Sequence, residues 1–127
     1  MARILLCDDS NLILKILEKR MQDIGQEVVG KAKDGEECVR MYSELKPDLL
    51  LLDITMPNKD GRECLIEILE WDAKANVIMI SALMNEAVQA DCLNHGAKAF
   101  IHKGDINSPE DFETKVVAIL KPYLKIA

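Results

Sequence analysis

Four short apolar runs, each ending in a polar or charged residue, constrain the fold of this 127-residue chain more than any other feature. The runs lead into Asp8-Asp9, Asp53, Ser81 and Lys103, and segments with helical spacing of apolar residues separate them. Runs of this kind are typical of parallel strands that helices cover on both faces. Because functional crevices in such sheets lie at the carboxyl ends of the strands, we expect these polar residues to share one edge.

The composition is that of a folded domain, since 49% of the residues are apolar. A net charge of −6 argues against a nucleic-acid surface. No apolar run is long enough to span a membrane, and the start of the chain shows no signal-peptide pattern, which favours the cytoplasm. The four cysteines form no C-x-x-C pair, so buried free thiols are expected rather than a zinc site. We expect residues 1–127 to form a single domain.

Strand and helix patterns alternate five times along the chain. Strands are predicted at about residues 3–8, 28–32, 49–52, 77–80 and 97–102, with the second at a sheet edge. The first helix is predicted to begin near Ser10 or Asn11 and to stop at Gly25, and the last to begin at Ser108-Pro109 and to kink or end at Pro122. Right-handed crossovers then give an α/β three-layer sandwich around a five-stranded parallel sheet. The residues alone leave the strand order open.

The polar residues at the strand ends favour phosphoryl chemistry. The carboxylates of Asp8, Asp9 and Asp53 would repel one another if they were held together. A hard divalent cation would relieve this repulsion, and Mg²⁺ suits such a set of oxygen ligands. Asp53 can then act as a nucleophile toward a phosphoryl donor. The ammonium of Lys103 would neutralise phosphoryl oxygens, and the hydroxyl of Ser81 would gain a strong acceptor only when phosphate is present.

Six short motifs occur in a fixed order along the chain: Cys7-Asp8-Asp9-Ser10, Leu52-Asp53-Ile54-Thr55-Met56-Pro57, Asp60-Gly61, Ile80-Ser81-Ala82, Gly96-Ala97 and Phe100-Ile101-His102-Lys103. With these motifs the chain resembles, over essentially its whole length, the receiver domains of two-component response regulators. The resemblance implies a flavodoxin-like fold with strand order 2-1-3-4-5.

The resemblance also assigns roles to the site residues. It implies that Asp53 is the phosphoacceptor, and that Mg²⁺ is organised by Asp8, Asp9 and Asp53 together with the backbone carbonyl of Thr55. The chain would be a signalling module and not a turnover enzyme. Its phosphoryl donor would be a histidine kinase or a phosphotransfer protein.

The remaining roles concern the readout of phosphorylation. The resemblance implies that Lys103 and Ser81 bind the phosphoryl group, and that Ser81 and Phe100 form a coupled switch. This switch would remodel the face made by helix 4, strand 5 and helix 5, which would bind a downstream protein target or an output domain. We also expect Thr55 and Leu83 to flank the path of the water that hydrolyses the acyl phosphate. A phosphorylation-dependent dimer is left open, as is whether the chain acts alone or within a larger regulator.

One position departs from the family pattern. The family usually has proline after the lysine, commonly in a cis peptide, and this chain has Gly104. A cis bond without proline is about 2.5–4 kcal/mol less favourable than trans, so we expect Lys103-Gly104 to be trans. The loop 104–107 is then expected to be more mobile or differently shaped.

Three alternatives use similar features. A phosphohydrolase of the haloacid-dehalogenase type also places an aspartate after an apolar strand, but its second acidic position is occupied here by Thr55. A flavodoxin needs a phosphate-cradling loop after the first strand, where Asp8-Asp9 would repel phosphate. A receiver-like domain that only docks proteins is the last alternative, and retention of all five site residues argues against it.

Overall fold

The computed structural model describes residues 1–82 and 85–124 of the chain. Its first half contains β1 (Arg3–Cys7), α1 (Asn11–Asp23), β2 (Glu27–Ala32), α2 (Gly35–Leu45) and β3 (Leu49–Asp53). Its second half contains α3 (Gly61–Trp71), β4 (Val77–Ser81), α4 (Glu86–Asn94) and β5 (Ala99–His102). A 3₁₀ turn (Lys103–Ile106) leads from β5 to a fifth helical segment, α5 (109–120).

All neighbouring strands pair in parallel, in the order β2-β1-β3-β4-β5. The predicted fold class is confirmed, and the strand order that the resemblance implied is the observed one. The main boundary difference is that β5 begins at Ala99 and not at Ala97. The backbone N–H of Ala97 donates to the carbonyl oxygen of Cys92, which completes the turn at the end of α4 and delays the strand.

Side-chain alternation along the strands divides the core between the two faces of the sheet. Ile4, Leu6, Leu49 and Leu51 pack with α1 and α5 on one face. The residues between them in sequence pack with α2, α3 and α4 on the other face: Leu5, Cys7, Leu50 and Leu52. Two of the interior strands are therefore apolar at each position from Ile4 to Cys7 in β1 and from Leu49 to Leu52 in β3, which explains their unbroken hydrophobic runs.

The last helical segment is less regular than its sequence pattern predicts. It consists of an α turn (Pro109–Asp111), a π turn (Phe112–Val116), a further α turn (Val117–Leu120) and a 3₁₀ turn (Lys121–Tyr123). Its buried side chains Phe112, Val116 and Leu120 are four residues apart. In a regular α-helix such residues drift by about 40° per step around the axis, and a wider turn keeps them on one face. The α conformation ends before Pro122, as predicted.

The helix and strand ends follow the predicted capping residues. The side chain of Ser10 accepts a hydrogen bond from the backbone N–H of Ile13, which makes Ser10 the N-cap of α1. Gly25 follows α1 with φ +79°, a conformation that favours glycine. Within the described ranges, no helix combines the length and the apolar character needed to cross a bilayer.

Candidate functional site

The end of β1 delivers two carboxylates to the carboxyl edge of the sheet. Asp8 is fully buried, and its Oδ1 accepts a hydrogen bond of 2.9 Å from the backbone N–H of Ser10. Asp9 is exposed. The backbone N–H of Asp8 still bonds to the carbonyl oxygen of Ala32, so the chain leaves the sheet only after Asp8. That departure allows two adjacent residues to serve the same crevice.

The end of β3 delivers the third carboxylate. Asp53 is 3% exposed and is the last residue of the strand, paired in register with Ile80 of β4. One oxygen from each of Asp8, Asp9 and Asp53 lies within 4.8 Å of the others. The structure therefore brings together all three side-chain carboxylates that the sequence predicts as metal ligands.

Lys103 lies between two of these carboxylates. Its Nζ is 2.9 Å from Oδ2 of Asp8 and 3.2 Å from Oδ2 of Asp53. The lysine side chain is 19% exposed, so its charge is partly shielded from water. The site thus holds one ammonium against three carboxylates, and its negative charge is not balanced by the protein's own groups.

The pKa of Asp53 is raised to about 6. Burial is the main cause, and the charge of Asp8 adds to it, while Lys103 and a hydrogen bond from the backbone N–H of Thr55 act in the opposite direction. Burial by itself lowers the pKa of Lys103, but the pairing with Asp8 and the charge of Asp53 outweigh it, and the pKa is raised. Lys103 therefore stays protonated at neutral pH.

A divalent cation fits this donor set. Among the described residues, Oδ2 of Asp8 is a buried oxygen without a hydrogen bond, although the Lys103 ammonium makes an ion pair with it. Three carboxylates with one such oxygen form a site for a hard cation with oxygen ligands, the type that Mg²⁺ prefers. The backbone N–H of Thr55 donates a hydrogen bond to Asp53. The role of the Thr55 carbonyl oxygen as a metal ligand stays a prediction.

The two predicted switch residues lie on neighbouring strands. Ser81 is 9% exposed and ends β4, one residue beyond the register partner of Asp53. Phe100 is half-buried on β5, in register with Met79 of β4. The other predicted residue of this region, Leu83, lies outside the described residues. Ser81 is therefore placed beside the acidic site, whereas Phe100 lies one strand farther out.

Gly61 allows the loop after β3 to close against the strand. A Cβ atom at this position would lie 2.1 Å from the carbonyl oxygen of Asp53 and 2.7 Å from Cα of Ile54. The backbone N–H of Gly61 donates to the carbonyl oxygen of Ile54 at 2.7 Å. The Asp60-Gly61 motif thus has a direct packing reason, and Asp60 also caps α3 by accepting from the N–H of Glu63.

The loop after Lys103, expected to be more mobile or differently shaped, forms a regular turn, and its mobility stays a prediction. The Lys103–Gly104 peptide bond is trans, as expected, and no cis bond occurs in the part of the chain that the structure describes. Residues Lys103–Ile106 form a 3₁₀ turn. The side chains of His102 and Arg20 bind backbone atoms of this loop, and neither residue was singled out from the sequence. Only the histidine two residues before the glycine could have indicated the first of these contacts.

The cysteines are buried free thiols, as predicted. The Sγ atoms of Cys7 and Cys38 lie 2.7 Å apart, and Sγ of Cys64 donates to the carbonyl oxygen of Gly35 at 3.3 Å. Burial raises the pKa of Cys7 and is the largest cause of its shift. These thiols are accordingly neutral packing groups on the α2–α3 side of the sheet.

Comparison with known proteins gives consistent matches across the chain. The family model described as the response regulator receiver domain matches residues 4–115. The chemotaxis protein CheY of Listeria monocytogenes is 41% identical over 103 residues, which cover 81% of this chain and 87% of that protein. CheY of Bacillus subtilis is 41% identical over 101 residues, or 80% of this chain and 84% of that protein.

Solved structures match the fold at similar identity. CheY from Borrelia burgdorferi, in a complex with CheX, BeF₃ and magnesium, has a TM-score of 0.85 and 38% identity. That match covers 97% of this chain and 90% of the other. The response regulator domain of Thermotoga maritima CheB has a TM-score of 0.85 and 34% identity, covering 98% and 97% of the two chains. The matched sequence and structure both include the strand ends that carry the acidic site.

Proposed function

The chain belongs to the response regulator receiver domains, and from that premise we propose that it is a phosphorylation-dependent switch whose phosphoacceptor is Asp53. The observation that carries the proposal is the arrangement around this residue. A buried carboxylate at the end of a central strand lies beside two further carboxylates and is paired with a lysine at 3.2 Å. Family membership supports a signalling role in general, and the residue assignments are ours.

Asp8 and Asp53 both pair with Lys103, and the resemblance to receiver domains assigns the role of nucleophile to Asp53. Asp53 pairs with Lys103, the group suited to hold a transferring phosphoryl group, and it accepts a hydrogen bond from the backbone of Thr55, which fixes its orientation. In the transfer, an oxygen of Asp53 attacks phosphorus, and the bond from phosphorus to the donor's histidine nitrogen breaks. The electron pair of that bond stays with the donor imidazole. The donor would be a histidine kinase or a phosphotransfer protein.

Mg²⁺ is the proposed cofactor, held by Asp8, Asp9 and Asp53 with the backbone carbonyl of Thr55. When bound, it neutralises charge on the carboxylates and on phosphoryl oxygens, which otherwise repel one another. The buried Oδ2 of Asp8, whose charge is paired with Lys103 in a site that holds two further carboxylates, supports this assignment. The Borrelia burgdorferi CheY structure, which contains magnesium and BeF₃, is consistent with it by analogy.

The same geometry suggests how phosphorylation is read. Ser81 would donate its hydroxyl to a phosphoryl oxygen, and Phe100 would turn inward as Ser81 moves, since the two lie on adjacent strands. The face formed by α4, β5 and α5 would then bind or release a protein target or output domain. A cytoplasmic location and a single receiver domain over residues 1–127 are further parts of this proposal, whereas phosphorylation-dependent dimerisation is left open.

Loss of the signal would follow from hydrolysis of the acyl phosphate by water. We propose that Thr55 and Leu83 border the path of that water. Polar substitutions at position 83 should therefore change the phosphoryl half-life, measured by loss of the adduct after the donor is removed. Identical half-lives in such variants would contradict this role.

The test of the main proposal is intact mass after incubation with acetyl phosphate, with Mg²⁺ or with a chelator. We expect one phosphoryl adduct on the wild type with Mg²⁺ and none on Asp53→Asn or in chelator. Asp48→Asn, at the opposite edge of the sheet, is the matched control and should still form the adduct. An adduct on Asp53→Asn would move the acceptor elsewhere, and a wild type that stays unmodified would favour a domain that only docks proteins.

A further inference from the structure

The 3₁₀ turn Lys103–Ile106 begins with the lysine that pairs with Asp53. The backbone of this turn therefore fixes the position from which the lysine side chain extends. Receiver domains usually restrain this point with proline, whereas this chain has Gly104, the residue with the greatest backbone freedom. A glycine loop would leave the lysine less well positioned unless other groups hold it. Two side chains, from different elements, bind the backbone of this loop.

His102 holds the start of the turn. Its Nδ1 accepts a hydrogen bond of 3.0 Å from the backbone N–H of Gly104, in the manner of a helix N-cap. A Cβ atom at position 104 would lie 2.8 Å from Nδ1 and 2.9 Å from Cε1 of His102, so a larger residue would displace the ring. Proline would lack the N–H altogether. The histidine and the glycine therefore depend on each other.

Arg20 of α1 holds the end of the turn. Its Nε donates to the carbonyl oxygen of Ile106 at 3.1 Å, and its Nη2 donates to that of Asn107 at 2.8 Å. The side chain of Ile106 is fully buried in the core between α1 and α5. The loop is thus fixed at one end by a histidine cap and at the other by a guanidinium and an apolar anchor.

We propose that His102 and Arg20 are positioning residues that replace the family proline and hold Lys103 in place to bind the phosphoryl group. Lysine has a flexible stem, so the position of its ammonium depends on a fixed backbone at its base. Displacement of a charged group by about 1 Å is enough to weaken phosphoryl chemistry strongly. The inference rests on the proposed function and adds to it two residues that do not touch the phosphoryl group.

The test is a calorimetric titration of the protein with beryllofluoride in saturating Mg²⁺, which measures the affinity for beryllofluoride. His102→Ala should bind beryllofluoride about fivefold more weakly than the wild type, which corresponds to loss of one hydrogen bond of ordinary net strength. His102→Asn restores a side-chain acceptor and should recover most of the affinity. His95→Ala, which alters a histidine at the end of α4, is the matched control and should bind as the wild type does.

Arg20→Met keeps the apolar stem and removes both donors to the loop, so it should also weaken beryllofluoride binding. Arg40→Met, on the exposed surface of α2, is its control. Binding of Mg²⁺ alone should not weaken in any of these variants, because the lysine ammonium repels the cation. Thermal unfolding under the titration conditions establishes whether each variant is folded. If Arg20→Met is not folded, the result for His102→Ala is sufficient to test the proposal.

A double variant separates positioning from a general structural effect. In a Lys103→Ala background, His102→Ala should cause no further loss of beryllofluoride affinity, because the group it positions is gone. A full additional loss there, or wild-type affinity in single His102→Ala and Arg20→Met, would overturn the inference while leaving Asp53 as the acceptor. A wild type that fails to bind beryllofluoride with Mg²⁺ would overturn the proposed function and this inference together.

Discussion

The two ends of the sheet treat polar groups in opposite ways. At the amino edge, polar groups pair with one another: Oε1 of the buried Gln26 accepts from the N–H of Ala2 at 2.6 Å, and Oδ2 of the half-buried Asp48 accepts from the N–H of Arg3 at 2.8 Å. At the carboxyl edge, Asp8 and Asp53 are buried side by side. The first edge is built for stability. The second keeps an unbalanced charge that a ligand can relieve.

The difference follows from how charges and neutral groups tolerate burial. Burial of a neutral amide changes the free energy of folding little when its hydrogen bonds are made. Neighbouring like charges, in contrast, destabilise the folded state until a cation or a proton binds. The same sheet thus stabilises the fold at one end and holds a reactive site at the other. Substitutions at the two edges should therefore differ in their effects, from the largest at Gly61 to the smallest at Gln26.

Gly61→Ala should be the most damaging change at the carboxyl edge. The added Cβ would meet backbone atoms of Asp53 and Ile54, which cannot move without distorting β3. We expect a loss of about 3–4 kcal/mol in the free energy of unfolding, measured with urea. Gly25→Ala, which leads into the amino edge, meets no atom within 4 Å and should lose only about 1 kcal/mol because of its φ of +79°. Equal losses would contradict the role of close packing.

Asp53→Asn should stabilise the protein in the absence of divalent cations. The pKa of Asp53 is about 6 in the folded state against 3.8 ordinarily, so between these pH values the folded chain keeps a proton that the unfolded chain has lost. Stability from this group is therefore present below pH 4 and lost as pH rises toward about 6. Above that range we expect the variant to be more stable by about 3 kcal/mol.

The measurement is urea unfolding of the wild type and Asp53→Asn at several pH values with chelator present. The difference between the two should grow from pH 4 to about 6 and then stay constant. A difference that is constant across this range would mean that the carboxylate is not destabilised by its surroundings.

Mg²⁺ should reverse part of this destabilisation. At a concentration ten times its dissociation constant, a ligand that binds only the folded state adds about 1.4 kcal/mol to the free energy of unfolding. We expect that gain in the wild type and in Asp48→Asn. We expect no gain in Asp8→Asn, because this variant loses one of the three carboxylates of the proposed cation site. An equal gain in Asp8→Asn would place the cation elsewhere.

Much of this architecture was predictable from the sequence, for reasons that particular elements make clear. The runs before Asp8 and Asp53 are unbroken because β1 and β3 are covered on both faces, whereas a strand with one face in water would alternate apolar and polar residues. Strand ends then place the polar residues at one edge. The strand order came only from the resemblance, since local patterns do not say which strands are neighbours.

The features that escaped prediction depend on contacts between distant residues. Arg20 reaches the carbonyl oxygens of Ile106 and Asn107 from another helix, and nothing near Arg20 in sequence indicates this. The expectation of a more mobile or differently shaped loop at Gly104 considered backbone freedom alone, and the hydrogen bond from the N–H of Gly104 to Nδ1 of His102 was not visible without the turn itself. Local propensity predicts a conformation reliably where the burial pattern favours the same conformation. It is insufficient where a side chain distant in sequence determines the conformation.

Gln26→Met should give the smallest effect and the sharpest contrast with Asp53. The substitution keeps the length of a buried side chain and removes the acceptor for the N–H of Ala2 and the donor to the carbonyl oxygen of Ile24. We expect a loss of about 1 kcal/mol in the free energy of unfolding, because the buried N–H loses its partner. Since no group at this position titrates, the loss should be the same at pH 4 and pH 7, as urea unfolding would show. A loss that varies with pH in parallel with that of Asp53 would mean that the two edges are electrostatically coupled through the sheet, and the contrast between them would fail.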